Sequence, residues 1–142
     1  MRHQKFGKKL NRDIKERKSL FKNLVSSLIV YGKITTSEAK AKAIRGLVDK
    51  LVNKSKEGTL SARRQIAGFL NKADLVKKLF DVIAPRFKSR SGGFTRIIKS
   101  GEKRGDGSPQ AVMEWVEKVD EKTSGKKEAI VPAKEKKPVA KV

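Results

Sequence analysis

The sequence predicts an α+β fold: a two-layer α/β domain in which helices cover one face of a small three-stranded sheet, in the order α-β-α-α-α-β-β. Three observations carry that expectation. Four segments before Pro85 repeat apolar residues at helical spacing. Three short segments, at 33–36, 95–99 and 111–117, are β-branched or alternate in polarity. A chain of 142 residues suits one domain with a modest core. Composition then divides the chain into a basic arm (1–12), a globular body (13–118) and a tail (119–142) rich in Lys, Glu, Ala and Pro.

The arm holds five Lys or Arg, one His and no acid, and it lacks apolar periodicity. Such arms become ordered by laying into nucleic-acid grooves. Asp13 followed by Glu16 resembles a capping box with Asp in the Ser/Thr place. From there Ile14, Arg17, Phe21, Leu24, Val25 and Leu28 form one largely apolar face, so a first helix is expected over 14–31, closed by Gly32. Lys15, Lys18 and Lys22 lie on its other face. Residues 33–36 read as a strand, and Thr36 or Ser37 is placed to cap the next helix.

Ala41, Ile44, Leu47, Val48, Leu51 and Val52 make a core stripe on a second helix that ends near Lys56, before Gly58. Thr59 or Ser61 opens a shorter helix through Ile66, Ala67, Phe69 and Leu70. Its interior Gly68 either weakens it or permits close packing. Asn71, supported by Asp74, is expected to cap a fourth helix carrying Leu75, Val76, Leu79, Phe80 and Ile83, stopped by Pro85. Two strands follow, 95–99 and 111–117, joined by an eleven-residue loop (100–110) with three glycines and Pro109. They pair most simply as antiparallel neighbours. Trp115 is expected to anchor the core or a sheet face, because aromatic rings bury large areas, whereas Phe87 and Phe94 suit the core and base stacking equally. Beyond Lys118 the apolar period vanishes, and Pro132 and Pro138 interrupt any helix, so 119–142 is expected to be disordered.

Charge narrows the function. There are 36 Lys or Arg against 15 acids, for a net charge of +21. A chain so charged repels itself unless a polyanion meets it; nucleic acid is the first candidate and an anionic membrane surface the second. The sequence has no apolar run of the roughly 18 residues that a spanning helix needs. Without cysteine there is no disulfide, thiol nucleophile or thiolate metal site, and His3 alone makes no metal site. Asp13, Glu16, Asp49 and Asp74 read as caps and helix-surface charges, and no phosphate-binding Gly-Lys-Ser/Thr loop occurs. The expectation is a binding protein, neither an enzyme nor a cofactor carrier. Its most telling stretch is 85–111, where arginines alternate with small flexible positions such as Gly92 and Gly93. The Arg fork fits phosphate oxygens and stacks on bases, a pairing suited to structured RNA.

These residues also resemble a known family. Met1-Arg2-His3, Lys5, Gly7, Lys9-Leu10 and Arg12 are similar to the opening of the bacterial large-subunit ribosomal protein seventeen family. The resemblance continues through Lys33-Ile34-Thr35-Thr36, Lys40-Ala41-Lys42, Arg63-Arg64 and Leu79-Phe80. It is strongest at Pro85-Arg86-Phe87, Arg90, Gly92-Gly93-Phe94-Thr95-Arg96-Ile97 and Lys99, and it ends at Gly105-Asp106, Pro109, Ala111 and Glu114. It spans about residues 1 to 117, in order and at matching spacing. Ser37-Glu38, Ser108-Pro109-Gln110 and Trp115 depart from the family pattern.

The resemblance implies one copy per ribosome in the large subunit, in the cytoplasm. It implies binding to large-subunit ribosomal RNA near the polypeptide exit-tunnel side, with neighbouring ribosomal proteins as further partners. The family order α-β-α-α-α-β-β agrees with the elements read above. The expected RNA contacts are Arg2, His3, Lys5, Lys8, Lys9 and Arg12 in the arm, Arg86, Arg90, Arg96 and Arg104 in the later stretch, and Arg63 and Arg64 next. Phe6 is placed to stack on a base. Charge alone leaves a general nucleic-acid binder open, but such a protein needs none of these ordered motifs.

Overall fold

A computed structural model of the protein describes residues 8–117. The elements run α1 (Ile14–Tyr31), β1 (Lys33–Ser37), α2 (Glu38–Glu57), α3 (Leu60–Leu70), α4 from Ala73, β2 (Thr95–Glu102) and β3 (Pro109–Trp115). This is the expected α+β order. The buried stripe of α2 organises it: Ala41, Ile44, Val48, Leu51, Val52 and Ser55 are all buried, and Leu47 is packed against them. Ser55 is satisfied by donating from Oγ to the Val52 carbonyl at 2.7 Å. Through this stripe α2 touches α1, α3 and every strand.

The sheet has the order β1-β3-β2, with both pairs antiparallel. Alternation along β3 sets its two faces. Ala111, Met113 and Trp115 are buried toward the helices. Gln110, Val112 and Glu114 lie opposite, where register places Glu114 between Lys33 and Arg96, and Val112 between Thr35 and Ile98. Trp115 anchors the core, donating from Nε1 to the Leu28 carbonyl at 3.3 Å. Phe87 and Phe94 are fully buried.

Several local expectations need correction. Asp13 occupies the N-cap of α1 but its side chain makes no cap bond; Asp13 and Glu16 are both exposed, where water competes for their oxygens. Ile14 is 65% exposed and the core face of α1 begins only at Phe21. Ser37 sits at the N-cap of α2 with extended backbone, opposite Gln110 in the sheet, but its side chain makes no cap bond. Thr59 does cap α3, accepting from Ala62 N–H at 3.1 Å. Asn71 closes α3 instead of opening α4. Its φ is +53°, the left-handed region that Asn tolerates, and its N–H donates to the Ala67 carbonyl at 2.8 Å. With its amide oriented to suit its neighbours, it also donates to Gly68 O and accepts from Lys22 Nζ. Gly68 serves no close packing, since nothing lies within 4 Å of where its Cβ would be.

Pro85 does not stop α4 where expected. The helix begins as Ala73–Lys78, widens into a π-helical stretch over Leu79–Ile83, and closes with a turn at Ala84–Arg86. A proline ring clashes with the carbonyl four residues back in an α-helix, and the wider turn just upstream relieves that clash. The β2–β3 loop is also shorter than eleven residues, because both strands extend to a Glu102–Pro109 pair. Between Lys99 and Glu102 the register shifts by one, and Gly101 takes up that bulge at φ +88°. Pro109 is the first residue of β3, the position in a strand that tolerates a missing N–H.

Leu28 is fully buried between α2 and Trp115, whereas Ile14 is mostly exposed. Leu28→Ala is expected to lower unfolding free energy by about 2–5 kcal/mol. Ile14→Ala should change it by no more than about 0.5 kcal/mol. Urea denaturation of the two variants checks both.

Candidate nucleic-acid interface

Among the described residues the expected contacts fall on five places. At the first, Lys8, Lys9 and Arg12 are all exposed on a turn preceding α1, closed by Arg12 N–H donating to the Lys9 carbonyl at 3.2 Å. Leu10 and Asn11 inside it adopt positive φ, +54° and +50°. Asn tolerates that region, but Leu10 held there is strained by about 1–2 kcal/mol. Arg2, His3 and Lys5, together with Phe6 and the tail 119–142, lie outside the described residues.

At the second, Arg63 and Arg64 are exposed on α3. The Arg63 guanidinium stands 4.8 Å from the centroid of the Phe80 ring, which steadies the fork while leaving its edge in solvent. At the third, Arg86 is half-buried in the last turn of α4, and Lys88 and Arg90 are exposed on the loop that follows. At the fourth, Arg104 stands at the tip of the β2–β3 hairpin, exposed. That tip is ordered internally: Lys103 N–H donates to Ser108 O, Gly107 N–H donates to Lys103 O, and Lys103 pairs with Asp106.

The stretch 86–104 is therefore not one compact patch. The eight residues of β2, about 25 Å of extended chain, separate Arg90 from Arg104. Arg96, the fifth place, lies between them on the outer sheet face, 2.5 Å from Glu114. An exposed pair of this kind is worth at most about 1 kcal/mol in water, so a phosphate can compete for the guanidinium.

Sequence reasoning overlooked two residues that shape this surface. Asp49 is not a helix-surface charge: it is half-buried and its Oδ1 accepts Phe94 N–H at 3.2 Å. Lys56 Nζ donates to the Arg90 carbonyl at 2.5 Å. Their spacing of seven puts both on one side of α2, but that signal gains meaning only once the loop is known to lie there. Other acids are engaged by cations: Glu38 by Lys42, Glu114 by Arg96, and Asp106 by Lys103 together with the Ser108 hydroxyl. Among the described residues no group of His, Cys, Asp or Glu is disposed to hold a metal ion, and no helix is long and apolar enough to cross a membrane.

The family model described as Ribosomal protein L17 matches residues 20–116. Among known relatives, a protein of Allorhizobium ampelinum named "Large ribosomal subunit protein bL17" is 49% identical over 128 residues, covering 89% of this chain and 91% of its own. A Thermus thermophilus protein of the same name is 50% identical over 118 residues, 82% of this chain and all of its own. One from Pelobacter propionicus is 46% identical over 117 residues, 82% of this chain and 92% of its own.

Glu38, the first residue of α2, adds a titration test. Its hydrogen bond with Lys42 and the charge of that lysine, joined by the fields of Lys99 and Lys8, hold its carboxyl below the usual value. A folded-state pKa below the unfolded one stabilises above the unfolded pKa, about 4.3, and is lost as pH falls through the folded value. The urea midpoint of Glu38→Gln should therefore lie slightly below that of the parent at pH 7, and the gap should narrow as pH falls below the unfolded pKa.

Proposed function

Since the chain belongs to the Ribosomal protein L17 family, we propose that it is a structural constituent of the large ribosomal subunit that binds and stabilises large-subunit ribosomal RNA near the polypeptide exit-tunnel side. The family match over most of the folded body is the observation that carries this reading, and the surface chemistry supports it. The chain carries a net charge of +21, the described cations are mostly exposed, and RNA supplies the compensating phosphates. The role is architectural, so the acids serve as partners for cations and backbone rather than as a reacting pair. Placement near the exit-tunnel side, in one copy and in the cytoplasm, is part of the same proposal, and the family resemblance supports it.

Affinity comes mainly from phosphate neutralisation with release of counterions, and docking is decided by RNA shape rather than base sequence. The turn and arm, with Arg2, His3, Lys5, Lys8, Lys9 and Arg12, grip one RNA segment. Arg86, Arg90, Arg96 and Arg104 follow the β2 side of the body, and Arg63 and Arg64 supply a flank. Because the described groups among these sit on five separate places, the protein meets a folded RNA surface rather than a single straight helix. Neighbouring ribosomal proteins share that surface.

On sucrose gradients of cell lysate the protein is expected to co-sediment with large subunits through a high-salt wash. Release at moderate salt, or a position at the top of the gradient, would instead indicate a loose nucleic-acid binder. A chain lacking residues 1–12 should bind ribosomal RNA more weakly and with a flatter salt dependence, the slope falling by about 0.7–0.9 for each phosphate that the arm no longer neutralises. An unchanged slope would remove the arm from the interface.

A further inference from the structure

Residues 88–93 form a short loop between two core anchors. Phe87 and Phe94 are both fully buried, packed edge to face with centroids 5.2 Å apart, and Phe87 also meets Trp115 at 5.8 Å. With both ends seated in the core, the chain between them is expelled to the surface: residues 88 to 92 are exposed, and Gly93 turns back at φ +65°. The first turn of the loop is closed by Arg90 N–H donating to the Phe87 carbonyl at 3.1 Å. At the far end, Phe94 O accepts Val116 N–H at 3.0 Å while Phe94 N–H donates to Asp49 Oδ1 at 3.2 Å.

One more bond crosses the middle. Lys56 Nζ reaches the Arg90 carbonyl and stands 5.4 Å from the centroid of the Phe94 ring. Asp49 and Lys56 are about 10 Å apart along α2, two turns on one side, so a single rigid helix grips the loop at its far end and at its midpoint. A solvated lysine would have water for all three of its donors. This one is half-buried and turned onto a carbonyl and a ring within the protein. With that carbonyl drawn toward α2, Arg90 leaves its side chain in solvent.

We propose that Asp49 and Lys56 are positioning residues that preset the 88–93 loop for RNA, and that Lys56 directs its charge into the protein instead of onto a phosphate. The proposal rests on the RNA-binding reading above and deepens it. A loop already held in its bound shape loses little freedom on binding, so the latch adds affinity without adding a phosphate contact. Lys56 is thereby distinguished from Arg90, which it serves.

The test uses the full chain, large-subunit ribosomal RNA transcribed in vitro, and amide hydrogen exchange of the free protein. Lys56→Met keeps most of the apolar stem and removes the donor and the charge. It is expected to weaken binding about three- to tenfold at every salt concentration, leave the salt slope unchanged, and speed exchange across 88–94. Lys56→Arg should restore most of the affinity and protection. Asp49→Ala, a second variant should Lys56→Met fold poorly, should likewise speed exchange at Phe94 with no change of slope. Arg90→Met should lower the slope by about 0.7–0.9 without altering exchange elsewhere in the loop. If Lys56→Met lowers the slope as Arg90→Met does, Lys56 contacts phosphate and the assignment is wrong. Unchanged affinity together with unchanged exchange overturns it as well. If Lys56→Met speeds exchange while neither it nor Arg90→Met alters RNA binding, the latch stands and the RNA reading of this loop falls.

Discussion

Burial of the α2 stripe is the constraint from which the rest of the structure follows. Six of its residues, from Ala41 to Ser55, are nearly sealed from water, which requires the sheet on one flank and α1 and α3 on others. Fully burying each large aliphatic side chain contributes about 1.5–3 kcal/mol, so this one helix supplies a large share of the core. The same rigidity has a use at its margin. Asp49 and Lys56 stand on the rim of the stripe, and a helix fixed by its core face delivers both to the loop without independent adjustment.

The electrostatics have the opposite character. Most cations of the described residues are exposed, and in pairs such as Lys42–Glu38 and Arg96–Glu114 the cation stays largely in solvent. Repulsion among so many like charges works against compactness. On the proposed reading, ribosomal RNA removes that opposition, so the free protein and the bound one differ more in charge environment than in fold. Arg96 illustrates the exchange: a carboxylate holds it in the free protein, and a phosphate is its proposed partner in the complex.

Much of the fold was legible because periodicity reports burial directly. The end of α1 came straight from a terminal glycine, its start from a capping box that does not form, and the α2 stripe was read almost residue for residue. What resisted reading was decided by competition between neighbouring elements. Asn71 looks equally suited to end one helix or begin another, and only the tight α3–α4 junction settles which. Pro85 signals a stop, yet a wider turn upstream absorbs its ring. For the interface, the identity of the exposed cations was visible in the chain. Which cations turn inward was not, because Lys56 acquires its role from a loop 34 residues away.

The strand order bears on how the chain is made. β3 lies in the middle of the sheet although it is the last of the described elements to leave the synthesising machinery, and its partner Lys33 precedes Glu114 by most of the body. Until residue 115 emerges, β1 and β2 have no strand between them, and Ile34 and Ile97 have no Met113 to pack across from. The helices are assembled from local contacts and can form early, whereas the sheet waits for a long-range closure. A nascent chain of this protein therefore spends most of its synthesis as helices with an uncovered apolar flank, and completes its architecture in a single late step.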